Sequence, residues 1–112
     1  MKLPSKVKFA DEKVKKAFVE LEHSTSEDKQ LYLVLNDAFV DIEGNAFVGI
    51  QIPKKLIPKE YILKYGLDNC WKYNLPNAWR LLYSVAREEI LVVSIIIEWQ
   101  KHKKYGRKFG YN

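Results

Sequence analysis

Cysteine is nearly absent from this chain: Cys70 stands alone among 112 residues, so no disulfide can form within it. A single thiol fits a reducing compartment, and the chain reads as a cytoplasmic protein. Long apolar runs are missing too. The longest, Ile90 to Ile97, has eight residues, where a membrane-spanning helix needs about 20. The opening MKLPSKVKFADEK holds no apolar stretch of the kind a secretory signal carries. There is no Gly-rich phosphate loop, no GxSxG elbow and no Cys/His or Asp/His spacing for zinc, so no metal or cofactor is expected. Repeats and low-complexity segments are also absent. Only one acid-free stretch is also densely basic and aromatic. The last twelve residues, KHKKYGRKFGYN, hold Lys101, Lys103, Lys104, Arg107 and Lys108 and no Asp or Glu.

That local absence sets the charge of the whole chain. Of 19 Lys and Arg, those five leave 14 in the rest, against 14 acids, so the net charge of +5 equals what the tail carries. A neutral body with a positive end points to a polyanion partner: RNA, DNA, a phosphate-rich surface or an acidic protein. A solvated tail kept for solubility is the plain alternative. The length suits one domain, 1–112, and a 47% hydrophobic, 29% charged composition is that of a globular protein able to stand without staples.

Periodicity supplies the elements. Lys6-Val-Lys-Phe9 alternates, as a short strand does. Asp11 suits a helix cap, and Val14, Ala17, Phe18 and Leu21 form one helical face. Ser24 and Glu27 have capping-box spacing. Leu31, Val34, Leu35, Ala38, Phe39 and Ile42 make a second helical stripe, ended at Gly44-Asn45 by a left-handed residue. Pro53 and Pro58 interrupt residues 45–69, where Pro58 to Lys64 reads as a short helix stopped by Gly66. Three strands follow: Trp71–Leu75, a Pro76-Asn77 turn, Ala78–Val85, a polar turn over Ala86–Glu89, and Ile90–Ile97. The unalternating, β-branched last strand is expected inside the sheet. The short turns make the meander antiparallel. The expected fold is α+β, an N-terminal strand and helical hairpin packed on one face of a small antiparallel sheet.

Counting outward from the polar turn places Arg80 opposite Ser94 to Ile96, near the end from which the basic tail leaves. Arg80, His102 and Tyr105 are then expected to converge. Such a set suits RNA cleavage, which needs a base for the 2′-hydroxyl proton, an acid for the leaving oxygen and positive charge on the phosphorane. Histidine serves near neutral pH, a tyrosine flanked by cations has a lowered pKa, and Arg80 grips phosphate with two prongs. Tyr105, Phe109 and Tyr111, interleaved with cations, suit stacking on unpaired bases. Lys54, Lys55 and Lys59 form a second basic cluster, and Lys72 lies on the strand before Arg80. Each feature has a plainer reading: a solvated His102, an Arg80 paired with Glu98, tail aromatics capping the sheet, loop lysines that are merely exposed. Trp71, Trp79 and Trp99 read as core or core edge, His23 as a helix-end residue, and Cys70 as buried filler.

The order strand, helical hairpin, loop, three strands resembles the RelE/ParE superfamily of toxins. Two stretches carry the likeness. Asn74-Leu-Pro-Asn-Ala-Trp-Arg-Leu-Leu-Tyr83 is similar to the family's strand with an arginine followed by apolar residues and tyrosine. Ile97-Glu-Trp-Gln-Lys-His-Lys-Lys-Tyr105 is similar to its last strand running into a basic segment and a tyrosine. The likeness is best over 70–111 and architectural over 1–44, and residues 45–69 are longer and more proline-broken than the family pattern. It implies a toxin of a type II toxin–antitoxin system, a metal-independent endoribonuclease that cleaves mRNA at the ribosome by 2′-hydroxyl attack. Arg80 then contacts the scissile phosphate, Tyr105 orients or activates the nucleophile, and Lys103 or Lys104 supplies a second cation. His102 takes an acid or base role, and Tyr111 is a rival terminal tyrosine. Lys54, Lys55, Lys72, Lys101, Lys103, Arg107 and Lys108 would hold RNA. The implied partners are a RelB-like antitoxin, the ribosome and mRNA, with no membrane. The alternatives are a non-catalytic, ParE-like gyrase inhibitor and a basic RNA-binding protein.

Overall fold

The structure, a computed structural model, describes residues 2–88 and 91–101. Strand β1 (Lys6–Phe9) leads into helices α1 (Glu12–Glu22) and α2 (Ser26–Gly44). The following segment holds strand β2 (Ile50–Gln51), a 3₁₀ turn (Lys54–Leu56) and helix α3 (Lys59–Tyr65). Strands β3 (Trp71–Asn74), β4 (Trp79–Glu88) and β5 (Leu91–Lys101) complete the fold. The five strands form one sheet in the order β1-β5-β4-β3-β2. β1 runs parallel to β5 and every other pairing is antiparallel. The fold is α+β, with the helical hairpin on one face of the sheet.

Local chemistry explains the helices. Asp11 caps α1 by accepting from the Val14 amide at 2.9 Å, and His23 stands at its C-terminal end. The cap of α2 is Thr25, accepting from the Asp28 amide, one residue later than the expected Ser24–Glu27 pair. Ser24 instead donates its hydroxyl to the Asp28 carboxylate at 2.7 Å. α2 ends where expected but by another device. Asn45 is extended (φ −160), and its side-chain oxygen accepts from Leu3 and Phe47 amides. Gly66 is the left-handed terminator, at φ 66, and ends α3 as expected.

The hairpin face is the larger core. α2 presents Leu31, Leu35, Ala38, Phe39 and Ile42 to Leu81, Tyr83 and Ile96 of the sheet. Phe18 of α1 closes it, 5.2 Å from the Phe39 ring and 4.8 Å from Tyr32. The opposite face is covered by the segment between α2 and β3. Ile52, Ile57, Tyr61 and Leu67 pack there on Cys70, Leu82 and Ile97. Only the short helix was expected in that segment. β2 and the 3₁₀ turn are additions, and together with α3 they give the sheet a second covered face.

The last hairpin departs from expectation in a way that matters. The polar turn expected over Ala86–Glu89 is mostly strand: β4 continues to Glu88, paired with Leu91. β5 likewise continues past Ile97 to Lys101. Arg80 therefore pairs with Gln100, not with Ser94 to Ile96. Paired backbone keeps its ladder hydrogen bonds, so charged side chains such as Arg87 and Glu88 continue a strand where their side chains reach solvent. Leu82 faces Glu98 while Tyr83 faces Ile96, leaving Ile97 as an extra residue, a β-bulge.

Candidate functional site

Alternation along β4 decides what shares a face with Arg80. Leu81 and Tyr83 belong to the hairpin core, and Leu82 belongs to the α3 core. Arg80 thus points to the α3 face. Two rows cross the sheet there. Asn74, Arg80 and Gln100 form one, and Lys72, Leu82 and Glu98 form the next. Cross-strand neighbours of this kind lie about 5 Å apart, close enough for side chains to act on one ligand.

The bulge builds the acidic end of this set. In unbroken alternation from Ile96, Ile97 would take the α3 face and Glu98 the hairpin face. At the bulge, Ile97 packs in the α3 core and Glu98 still reaches Tyr61. Tyr61 donates its hydroxyl to Glu98 and accepts from Gln100 Nε2 at 3.1 Å. Burial, reinforced by the Glu98 carboxylate, pushes the Tyr61 phenol well above its ordinary value, so it stays protonated and donating. Gln100 is 1% exposed, and its Oε1 has no hydrogen-bond partner among the described residues. Arg80 is half-buried, and its Nη1 donates to the Trp79 carbonyl at 3.0 Å.

The expected site residues divide between what is described and what is not. Arg80 and Lys72 lie on the α3 face. Lys54 and Lys55 are exposed on the 3₁₀ turn, which is fastened to that face by Ile52 and Ile57. Lys101 pairs with Trp79 and turns to the hairpin side, its ammonium 5.4 Å from the Trp79 ring. His102, Lys103, Lys104, Tyr105, Arg107, Lys108 and Tyr111 lie outside the described residues. Arg80 pairs with Gln100, two residues before His102, so the chain enters its basic segment beside Arg80. Cys70 is fully buried, and burial pushes its thiol up to about 12. His23 is exposed at the end of α1, 3.5 Å from Glu22. No group of three or more His, Cys, Asp or Glu placed to hold a metal occurs among the described residues.

Tyr61, Asn74, Glu98 and Gln100 were not singled out as site residues from the sequence. A signal existed: Glu98 and Gln100 alternate with Trp99 and Lys101, so the strand period continues past Ile97. Tyr61 had no such signal, because its role depends on where α3 docks.

No family model matches this chain, and neither the curated proteins nor the solved structures contain a match to it. Among the described residues, no helix is long and apolar enough to cross a membrane.

Proposed function

We propose that this protein is a RelE-like toxin of a type II toxin–antitoxin pair, an endoribonuclease that cuts mRNA at the ribosome without a metal. The observation that carries the reading is the register of the last hairpin. Arg80 lies opposite Gln100, on a face shared with Lys72, Asn74 and Glu98, where the chain enters its acid-free segment. The order of strand, helical hairpin and three closing strands supports it as well.

In this reading Arg80 binds the scissile phosphate and stabilises the charge that builds on it during attack. The 2′-oxygen forms a bond to phosphorus as the bond to the 5′-oxygen breaks, giving a cyclic phosphate. The 2′-hydroxyl proton passes to a base and the leaving oxygen gains one from an acid. His102, Lys104, Tyr105 and Tyr111 are the candidates for these transfers. Lys54, Lys55 and Lys72 extend the cationic surface for flanking phosphates, with Lys101, Lys103, Arg107 and Lys108 on the closing segment. The inhibiting partner is a RelB-like antitoxin.

A cell-free translation extract tests the reading. Added protein should stop translation and leave messages cut at mapped positions, with cyclic phosphate ends, in the presence of EDTA-treated enzyme. Arg80→Ala should lower cleavage by about 10²–10³-fold, as loss of one transition-state donor does. Tyr105→Ala and Tyr111→Ala, made separately, decide which terminal phenol acts. Normal translation with failed supercoiling would favour the gyrase inhibitor. Salt-dependent RNA binding without cuts would leave a plain RNA-binding protein.

A further inference from the structure

The segment between β2 and β3 has an inner and an outer side. Ile52, Ile57, Tyr61 and Leu67 turn inward onto the sheet, with Tyr65 packed against them. Residues 52–67 also hold four lysines, Lys54, Lys55, Lys59 and Lys64, against one acid, Glu60. In α3, helical spacing sets Tyr61 and Tyr65 on the inner side and Lys59 and Leu63 on the outer one. Leu63 is 85% exposed, more than any other large hydrophobic among the described residues, and its neighbour Ile62 is 42% exposed. Such adjacent apolar side chains in water mark a contact surface.

Cations surround this pair. Lys54 and Lys55 stand exposed on the 3₁₀ turn, and Lys59 on the first turn of α3. None of the three makes an ion pair among the described residues. Lys64 and Glu60 belong to the flank of α3 that faces β5. Lys64 lies 3.9 Å from Asp11, and both Lys64 and Glu60 line a cleft against Ile97, Glu98 and Trp99. The outer side is therefore apolar at Ile62 and Leu63 and cationic at Lys54, Lys55 and Lys59.

We propose that this outer side binds the surface of an anionic lipid bilayer. Ile62 and Leu63 enter the boundary between headgroups and acyl chains, and Lys54, Lys55 and Lys59 lie against the lipid phosphates. Long lysine stems let the ammonium groups stay in water beside a buried leucine. Charge complementarity and area select the occupant. RNA would answer the lysines but offers Leu63 and Ile62 nothing to enter, since unpaired bases stack on aromatic rings and Tyr61 and Tyr65 turn inward. A folded partner protein buries roughly 800 Å² a side, far more than two aliphatic side chains offer. A second copy would set one group of lysines against another. A bilayer needs neither a fitted groove nor a wide apolar patch. The attachment is peripheral, since no described helix is long and apolar enough to cross a membrane. It does not depend on the ribonuclease reading, and its test reads binding alone.

The probes are vesicles of phosphatidylglycerol and of phosphatidylcholine, added to the full chain carrying Leu63→Cys labelled with an environment-sensitive dye. Cys70 is fully buried and escapes the label. The dye's emission should shift to the blue on phosphatidylglycerol, and stay unshifted with phosphatidylcholine or with soluble polyphosphate. In the unlabelled chain, Leu63→Ser should weaken vesicle binding by about tenfold. Lys54→Gln, Lys55→Gln and Lys59→Gln together should weaken it by about tenfold or more. Val40→Ser, at an exposed position of α2 across the sheet, should leave it unchanged. All these side chains are exposed, so melting temperatures should hold. The proposal is overturned by no binding to phosphatidylglycerol, by a dye that stays in water on the vesicle, or by binding that neither set of variants weakens, which would assign the attraction to the basic last twelve residues. A blue shift with an acidic protein, or with rising protein concentration alone, and none on vesicles, would overturn it in favour of a protein partner or a second copy.

Discussion

On the hairpin side of the sheet, Leu35, Ile42, Leu81 and Ile96 are sealed from water among aromatic rings. On the α3 side, an apolar patch of Ile57, Leu67, Cys70 and Leu82 gives way toward the end of β5 to Arg80, Glu98, Gln100 and Tyr61. The same strands supply both faces, so the difference lies in what covers them. A nineteen-residue helix lays a continuous stripe on one face. A seven-residue helix covers only part of the other and reaches the polar end through one phenol. Polar groups persist there because Tyr61 gives and accepts a hydrogen bond. Without it, the buried Gln100 amide would lose the hydrogen bond that its Nε2 donates. The hairpin face reads as the source of stability and the α3 face as the place where chemistry or recognition is exposed.

That contrast can be broken, most forcefully from the hairpin side. Leu35→Ala, at a fully buried position, should destabilise by about 2–5 kcal/mol through lost burial and a cavity. Its urea midpoint should fall sharply, while the folded fraction should keep the ribonuclease activity proposed above. Gly49→Ala comes next. A Cβ there would meet the Lys72 carbonyl at 2.5 Å and the Tyr83 hydroxyl at 2.8 Å. It would also displace a hydroxyl that donates to the Ala46 carbonyl at 2.7 Å and accepts from the Gly49 amide at 3.1 Å. A loss of about 1–3 kcal/mol is expected, read by thermal melting. Tyr61→Phe strips the hydroxyl from the α3 face and should cost about 1–2 kcal/mol. Here the proposed activity should fall further than stability does. Equal stability losses for Leu35→Ala and Tyr61→Phe, with function untouched in both, would erase the distinction between the faces.

Alkali sharpens the same comparison from the α3 side. The buried Cys70 thiol is pushed up to about 12, while an unfolded thiol titrates near about 8.5. The unfolded chain releases this proton first, so the contribution is complete below the unfolded value and is lost as pH climbs toward the folded one. Tyr61 and Tyr83, also raised chiefly by burial, act in the same direction. Urea midpoints should be flat through neutrality and decline above about pH 8.5, and Cys70→Ala should flatten the first part of the decline. The smallest effect has the opposite sign. Asn77 and Ala78 turn β3 into β4 with φ of 61 and 64, a pair of left-handed residues that asparagine and glycine accept most readily. Ala78→Gly should raise the melting temperature, by up to about 1 kcal/mol in stability.

The hairpin of helices was legible residue by residue. Asp11, the Val14–Leu21 face and the Leu31–Ile42 stripe all appear where periodicity places them, displaced only at the cap of α2. Gly66 and Cys70 also behave as their types suggest. The last hairpin was legible in kind but not in extent. Ala86 to Glu88 look like a turn because they are polar, and Glu98 to Lys101 look like a tail for the same reason. In the sheet Ala86 to Glu88 pair with Leu91 to Val93 and Glu98 to Lys101 with Trp79 to Leu82, and the tighter turn together with the bulge moves the partner of Arg80 to Gln100.

Composition and local periodicity by themselves determined the element types, the α+β class, the buried cysteine and the placement of the whole charge excess in the final twelve residues. These are properties of a few neighbouring side chains, and short-range sterics and capping hydrogen bonds decide them. Only the tertiary structure decided which residue pairs with Arg80 across the last hairpin, where the bulge at Ile97 resets the faces, and that α3 docks its phenol on Glu98. Each of those depends on pairing between residues tens of positions apart, and a strand's pattern reads the same in every register until a partner selects one.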